Sequence, residues 1–158
     1  MELLHYGAEP VGKLELRNQE KCRVFKPNGF WVSVGDSWKE WCESECFGLK
    51  RLECVSKIIL KPTANILTLT SPEQLDEFSR EYGEEKISIY FEIDWAKVAN
   101  EYDGIIITPY IYERRLELMW YYGWDCASGC IWNTDCIQSI TLQENENGMA
   151  SQGIVGQP

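Results

Sequence analysis

Hydrophobic and polar positions along the first part of the chain follow the pattern of short β-strands. Residues 2–6 form an apolar stretch that carries the only histidine, His5, and residues 30–34 (Phe-Trp-Val-Ser-Val) follow a Pro-Asn-Gly turn. Residues 51–60 and 65–70 are rich in β-branched residues that alternate with polar ones, and Lys-Pro-Thr-Ala separates the two stretches. The pattern therefore predicts four strands before residue 71.

Helix start signals accompany these strands at two places. Residues 37–40 (Ser-Trp-Lys-Glu) and 71–74 (Ser-Pro-Glu-Gln) both have the sequence of a capping box, in which two side chains satisfy backbone donors of the first helical turn. The first predicts a helix over residues 38–46. The second has proline at the first helical position and predicts a helix of about ten residues that ends before Gly83.

The second half of the chain continues this alternation. Residues 94–101 and 112–122 have helical patterns, and residues 105–109 are an apolar run after an Asp-Gly turn. Residues 123–133 pass from a loop into a strand, and residues 137–142 extend the predicted sheet. Strands and helices mixed in this order predict the α+β class.

The length of 158 residues, with 44% hydrophobic and 25% charged residues, is typical of one globular domain. Periodicity is lost near residue 143, so we predict one domain over residues 1–142 and a flexible tail over residues 143–158. No stretch approaches the roughly eighteen apolar residues of a membrane helix, and the N-terminus lacks the pattern of a signal peptide. We therefore expect a cytoplasmic protein without a membrane partner.

Seven cysteines, an odd number at irregular spacings, are typical of a reducing compartment and predict free thiols. Six of them fall into two groups, Cys42, Cys46, Cys54 and Cys126, Cys130, Cys136. Neither group contains the Cys-x2-Cys pair of a typical zinc site, so we expect buried thiols and no structural metal.

The formal charge of −10 disfavours sequence-independent binding to phosphate backbones, because that binding depends on Lys and Arg. A basic protein partner or a cationic ligand is favoured instead. Seven Trp and eight Tyr exceed what a core of this size needs, although most of them are expected inside it. The surplus predicts a cleft for a small molecule or a nucleotide, lined by aromatic side chains.

His5 is followed by a recognisable order of features. The sequence Gly-Phe-Trp-Val-Ser lies on a strand at residues 29–33, a helix then carries Trp38 and Trp41, and a late strand covers residues 128–133. This order resembles the ADP-ribosyltransferase superfamily, in particular its diphtheria-toxin-like and poly-ADP-ribose-polymerase-like branch. That branch has a strand His, then a Gly-hydrophobic-Tyr-Phe-Ala/Ser strand, then a helix ending in an aromatic residue and a Cys.

The resemblance implies two packed antiparallel sheets with short peripheral helices, splayed around a cleft for NAD. It implies that His5 hydrogen-bonds a ribose hydroxyl of NAD, that Trp31 or a Trp of the next helix stacks on nicotinamide, and that Ser33 lies beside the nicotinamide ribose. The implied contacts with the cofactor are completed by Tyr6, Gly29, Trp38 and Trp41.

Ser128 stands where this family has a Glu that opens the late strand. That Glu orients a ribose hydroxyl and supports the developing charge. Asp125, three residues earlier, is the nearest carboxylate that substitutes for it, and it is equally well explained as a turn residue before the strand. The implied catalytic set is thus His5, Asp125 and Ser128, with Tyr6 in place of the usual Gly and Trp31 in place of the usual Tyr.

The resemblance implies an NAD-dependent mono-ADP-ribosyltransferase that modifies a protein or a nucleic acid. Cleavage of the glycosidic bond passes through a cationic sugar, which aromatic faces and carboxylates stabilise. A second interpretation is a small acidic interaction or inhibitor protein, encoded by a virus or a mobile element, that covers a basic surface without catalysis. A third is a carbohydrate or nucleotide binding module with Trp platforms.

Overall fold

The computed structural model describes residues 1–19, 25–84 and 92–143, except for the Glu84 side chain. The strands within these ranges are β1 (Leu3–Gly7), β2 (Phe30–Val34), β3 (Cys54–Leu60), β4 (Ile66–Leu69), β5 (Gly83–Glu84), β6 (Glu92–Ile93), β7 (Gly104–Ile107), β8 (Ser128–Ile131) and β9 (Ile137–Leu142). The helices are α1 (Ser37–Ser44), α2 (Pro72–Tyr82) and α3 (Trp95–Glu101), and 3-10 turns cover Leu49–Leu52, Tyr112–Arg114 and Thr134–Cys136. This mixture confirms the predicted α+β class. The predicted tail lies outside the described residues beyond residue 143, and the single-domain boundary stays a prediction.

Seven strands form one mixed sheet in the order β4-β7-β8-β2-β1-β3-β9, in which β4 and β7 are parallel and the other neighbours antiparallel. The backbone ladder between β1 and β2 contains two residue pairs, Leu3 with Val34 and Leu4 with Ser33. By contrast, β1 pairs with β3 along its whole length, Leu3–Gly7. The structure therefore has one seven-strand sheet and a small two-strand sheet, β5-β6, where the resemblance implies two packed antiparallel sheets.

The two predicted helix starts differ in their caps. At α2, the Ser71 hydroxyl accepts a hydrogen bond of 3.3 Å from the backbone N–H of Gln74, as a capping residue does. At α1, Asp36 occupies the N-cap position without a side-chain cap, and the Ser37 hydroxyl donates to the Val34 carbonyl at 2.7 Å. The capping box predicted at residues 37–40 is therefore wrong, because the Ser37 hydroxyl ties the helix back to β2.

Residues 112–122 do not form the predicted helix. The segment is a 3-10 turn followed by further turns, and Leu116 is 78% exposed. The Tyr121 hydroxyl accepts from the backbone N–H of Ile111 at 3.0 Å. Arg114 makes two hydrogen bonds, of 2.9 and 2.8 Å, to the Asp76 carboxylate of α2. The segment keeps local backbone bonds, such as the one from the Leu118 N–H to the Arg114 carbonyl, but they do not continue as a helix, and Arg114 ties the segment to α2.

Two strands end or begin at other residues than predicted. β3 begins at Cys54, because the Leu49–Leu52 turn occupies the start of the predicted 51–60 strand. β7 ends at Ile107, two residues before the predicted end at Pro109. Proline has no N–H to continue a backbone ladder. No helix among the described residues has the length and apolar character needed to cross a membrane.

An aromatic core covers one face of the sheet. Four tryptophans expose 3% or less of their surface, as expected for most of them, and they are Trp95, Trp120, Trp124 and Trp132. Phe78 of α2 lies among these rings, with its centroid 5.2 Å from Trp120 and 5.9 Å from Trp95. Such tilted aromatic pairs add to the free energy of area burial. This core is the support on which the loop before β8 rests, because Trp124 belongs to it.

We expect Phe78→Ala to lower the free energy of unfolding by about 3–5 kcal/mol, because it leaves a cavity between three buried rings. Urea denaturation followed by tryptophan fluorescence measures the change. The control is Leu116→Ala, whose side chain is 78% exposed and whose loss should cost less than about 1 kcal/mol. Equal costs for the two variants would contradict the placement of the core.

Candidate functional site

A pocket of about 300 Å³ lies where β1 and β2 separate. The backbone ladder between the strands stops after the pair of Leu4 and Ser33. Residues 4–6 of β1 and residues 31–33 of β2 all line the pocket. Consecutive residues of a strand point to opposite faces of the sheet. Because three consecutive residues of each strand line the pocket, the pocket enters the gap between β1 and β2.

Seven of the nine residues predicted at the site line this one pocket, namely His5, Tyr6, Trp31, Ser33, Trp38, Asp125 and Ser128. They come from β1, β2, α1, β8 and the loop before β8. The pocket brings together side chains that are far apart in the sequence, such as those of His5 and Ser128. The sequence prediction of one shared cleft agrees with this geometry, and the roles of the residues stay predictions.

Gly29 and Trp41 lie outside the pocket lining. A Cβ atom on Gly29 would stand 2.6 Å from the Cys130 sulfur and 2.6 Å from the Ile131 carbonyl oxygen. Gly29 therefore allows β2 to approach β8. Trp41 lies on the outer side of Trp38, with the two rings stacked at 5.1 Å, and it lines a neighbouring groove.

His5 bridges the gap between the two strands. Its Nδ1 atom lies 2.8 Å from the Trp31 carbonyl oxygen, and its ring stacks on Phe30 at 4.4 Å. A carbonyl oxygen accepts hydrogen bonds only, so Nδ1 carries the proton and Nε2 is the acceptor of the neutral ring. The side chain thus fixes the position of β2 and presents an acceptor suited to a hydroxyl group.

Trp31 is half-buried at the pocket and is held by two neighbours. Its ring meets Trp124 edge-on, with centroids 4.9 Å apart, and the Lys26 ammonium lies 5.1 Å from its centroid. The stem of Lys26 crosses Gly123, where a Cβ atom would come within 2.7 Å of its Cε. Burial lowers the pKa of Lys26, and the Asp125 charge opposes that shift. The Trp31 ring therefore has both an aromatic and a cationic neighbour.

Asp125 is the pocket carboxylate, and it lies between two cations. Burial raises its pKa, while the charges of Lys26 and Arg115 act in the opposite direction. The Arg115 guanidinium is 3.9 Å from its Oδ1 atom and lies over the Tyr122 ring at 5.5 Å. A carboxylate in this position stabilises positive charge in the pocket and is able to take up a proton.

The hydroxyl groups of the pocket are bonded within the protein. Ser33 donates to the Gly35 carbonyl at 2.7 Å and accepts from the Trp38 backbone N–H at 3.0 Å. Ser128 donates to the Cys126 carbonyl at 3.0 Å. Both serines fix the backbone of the pocket, and Ser128 provides no carboxylate at the position where the resemblance expects Glu.

The Tyr6 phenol also has a partner inside the protein. It donates to the Asp36 carboxylate at 2.6 Å, and burial together with this bond raises its pKa. Asp36 is the N-cap of α1, so the bond connects β1 to the helix that carries Trp38. Tyr6 therefore positions the pocket wall.

The Cys126 thiol lies in the pocket but is not an activated nucleophile. Burial raises its pKa to about 11, so it is protonated at neutral pH. All six described cysteines are free thiols, and four of them, Cys42, Cys126, Cys130 and Cys136, are buried. Within the described ranges, no group of three or more His, Cys, Asp or Glu side chains is arranged to hold a metal ion.

Six lining residues were not predicted from the sequence, and they are Leu4, Lys26, Val32, Arg51, Trp124 and Cys126. Leu4, Val32, Trp124 and Cys126 are each next to a predicted residue in the chain. Lys26 and Arg51 have no such neighbour, and no sequence signal marks them. The Trp124 Nε1 atom is buried without a hydrogen-bond partner in the described part of the chain.

Comparison of the chain with protein-family models, curated proteins and solved structures finds no match.

We expect Cys126 to react with iodoacetamide at least about 100-fold more slowly than the exposed Cys46 at about pH 7.5, because its thiolate is scarce and buried. Peptide mass spectrometry after timed quenching gives both rates. Comparable rates would mean that the loop before β8 is open to solvent, which contradicts the described pocket.

Proposed function

We propose that the pocket binds NAD and that the protein transfers ADP-ribose from NAD to an acceptor. The observation that carries the proposal is the meeting of His5, Trp31 and Asp125 at one pocket in the gap between β1 and β2. The resemblance to ADP-ribosyltransferases implies a cleft between two splayed sheets, and the pocket here instead lies between two neighbouring strands of one sheet. If these residues had separate structural roles, their shared pocket would be unexplained.

The pocket has the chemistry to hold the reacting half of NAD. Its volume of about 300 Å³ suits the nicotinamide and its ribose. In this pose nicotinamide lies on Trp31 and a ribose hydroxyl donates to Nε2 of His5. Lys26 and Arg51 supply positive charge for the diphosphate, and Arg51 is exposed, so the adenosine half extends outwards.

The reaction needs a group that stabilises a cationic sugar. The bond between ribose C1′ and the nicotinamide nitrogen breaks, and its electron pair leaves with nicotinamide, whose ring becomes neutral. A nucleophile of the acceptor then bonds to C1′ and loses a proton. Asp125 is the pocket carboxylate, and it is suited both to stabilise the sugar cation and to take that proton.

Asp125 takes the part of the Glu that the family pattern expects at Ser128. The Arg115 and Lys26 charges favour its ionised form, against the effect of burial. The Ser128 hydroxyl instead holds the Cys126 carbonyl and thereby the turn that carries Asp125. In this proposal Asp125 is the catalytic residue and Ser128 a positioning residue.

The second candidate is a non-catalytic protein that covers a basic surface. One observation favours it: Phe47 and Leu49 are 49% and 50% exposed next to the Trp38–Trp41 stack, in a chain of net charge −10. An exposed aromatic patch with acidic surroundings is suited to a basic partner. The two candidates differ in their response to NAD, which the second neither binds nor consumes.

We expect Asp125→Asn to reduce nicotinamide release from NAD by about 100-fold or more, because the carboxylate that stabilises the sugar cation is lost. The affinity for NAD should change by no more than about threefold, since Asp125 acts mainly in the transition state. Chromatography of released nicotinamide and calorimetry with NAD measure the two quantities.

The matched control is Asp135→Asn, which makes the same change of charge at an exposed position outside the pocket. It should release nicotinamide at the wild-type rate. The proposal fails if the wild-type protein neither binds NAD nor releases nicotinamide, or if Asp125→Asn retains full activity.

A further inference from the structure

A second cavity lies on the other side of Asp125 from the NAD pocket. It is an open groove of about 540 Å³ between α1 and the loop after β7. Ser37, Glu40 and Trp41 form one wall and Tyr110 belongs to the other. Asp125 and Cys126 line both the groove and the pocket, so the two cavities meet at the proposed catalytic carboxylate.

The stacked pair of Trp38 and Trp41 connects the two cavities a second time. Trp38 lines the pocket and Trp41 lines the groove, and their rings are 5.1 Å apart with an angle of 20° between their planes. A molecule in the groove is thus next to a molecule in the pocket. This is the position that the second substrate of a transfer reaction requires.

The charges of the groove select a cation. Glu40 and Asp125 are its charged lining residues, and no Lys or Arg side chain is among the residues that line it, all of which lie in the described part of the chain. Arg115 lies beside one of these carboxylates, with its guanidinium 3.9 Å from Asp125. Two carboxylates in a chain of net charge −10 repel the phosphates of a nucleic acid.

The aromatic lining narrows the choice of cation. Trp41 and Tyr110 offer ring faces, on which a planar guanidinium stacks better than an ammonium group. The Tyr110 hydroxyl oxygen is itself buried, so the ring is the part of Tyr110 that the groove offers to a ligand.

We propose that this groove binds an arginine side chain of a protein acceptor, between Glu40, Trp41 and Tyr110, and directs its guanidinium towards Asp125. The proposal rests on the proposed ADP-ribosyl transfer for its chemical step. In that step a guanidinium nitrogen bonds to ribose C1′ as the bond to nicotinamide breaks with its electron pair. The proton of that nitrogen passes to the Asp125 carboxylate and then to water, and the product guanidinium keeps its charge.

The first experiment needs no NAD. A short Gly/Ser peptide with one arginine is titrated by calorimetry against the same peptide with citrulline, the neutral isostere, at that position. The arginine peptide should bind at least about tenfold more tightly, and Glu40→Gln should weaken its binding by about tenfold. Glu43→Gln changes the same charge on the same helix outside the groove lining and should have less than about a twofold effect.

The proposal is overturned if arginine and citrulline peptides bind equally, if Glu40→Gln has no effect, or if a single-stranded oligonucleotide binds in place of the peptide. Both glutamates are exposed, so the two variants should have the wild-type circular dichroism spectrum.

A second experiment adds NAD and measures ADP-ribose on the peptide by mass spectrometry. Transfer to arginine that is reduced in Glu40→Gln and unchanged in Glu43→Gln supports both proposals. Nicotinamide release without specific arginine binding leaves the proposed function standing and overturns the groove assignment. Specific arginine binding without any consumption of NAD supports the groove as a guanidinium site and overturns the proposed function.

Discussion

The hydrogen bond from His5 to the Trp31 carbonyl stands where the backbone ladder between β1 and β2 ends. Two residue pairs join the strands before that point, and a side chain connects them beyond it. The strands separate enough to admit a pocket and yet keep a fixed spacing. In the same contact, the Trp31 carbonyl determines which nitrogen of His5 carries the proton and which one accepts.

The rest of the site depends on packing around this gap. The aromatic core holds Trp124, and Trp124 in turn holds Trp31 edge-on and brings the neighbouring Asp125 to the pocket. Ser33 and Tyr6 tie the opposite wall to the start of α1. The site is therefore assembled from rigid strands and a buried loop, which is the arrangement that electrostatic stabilisation of a cationic sugar requires. The acidic groove next to Asp125 is the proposed site for the arginine of the acceptor.

Most of the predicted residues that line the pocket lie on strands, whereas Trp38 lies on α1 and Asp125 in the loop before β8. His5, Trp31 and Ser33 lie on short strands whose alternation is plain, and their order in the chain carries the resemblance. Lys26 and Trp124 come from loops, and their place depends on tertiary contacts such as the Lys26 stem over Gly123.

Residues 112–122 show the same limit, since they form separate turns in place of the predicted helix, and long-range bonds such as the one from Arg114 to Asp76 fix their position. The most direct test of the account is a crystal structure with a hydrolysis-resistant NAD analogue. The account predicts nicotinamide on the Trp31 face, a ribose hydroxyl on Nε2 of His5 and the Asp125 carboxylate beside C1′. An analogue that is absent from this pocket at saturating concentration, or bound elsewhere on the protein, would contradict it.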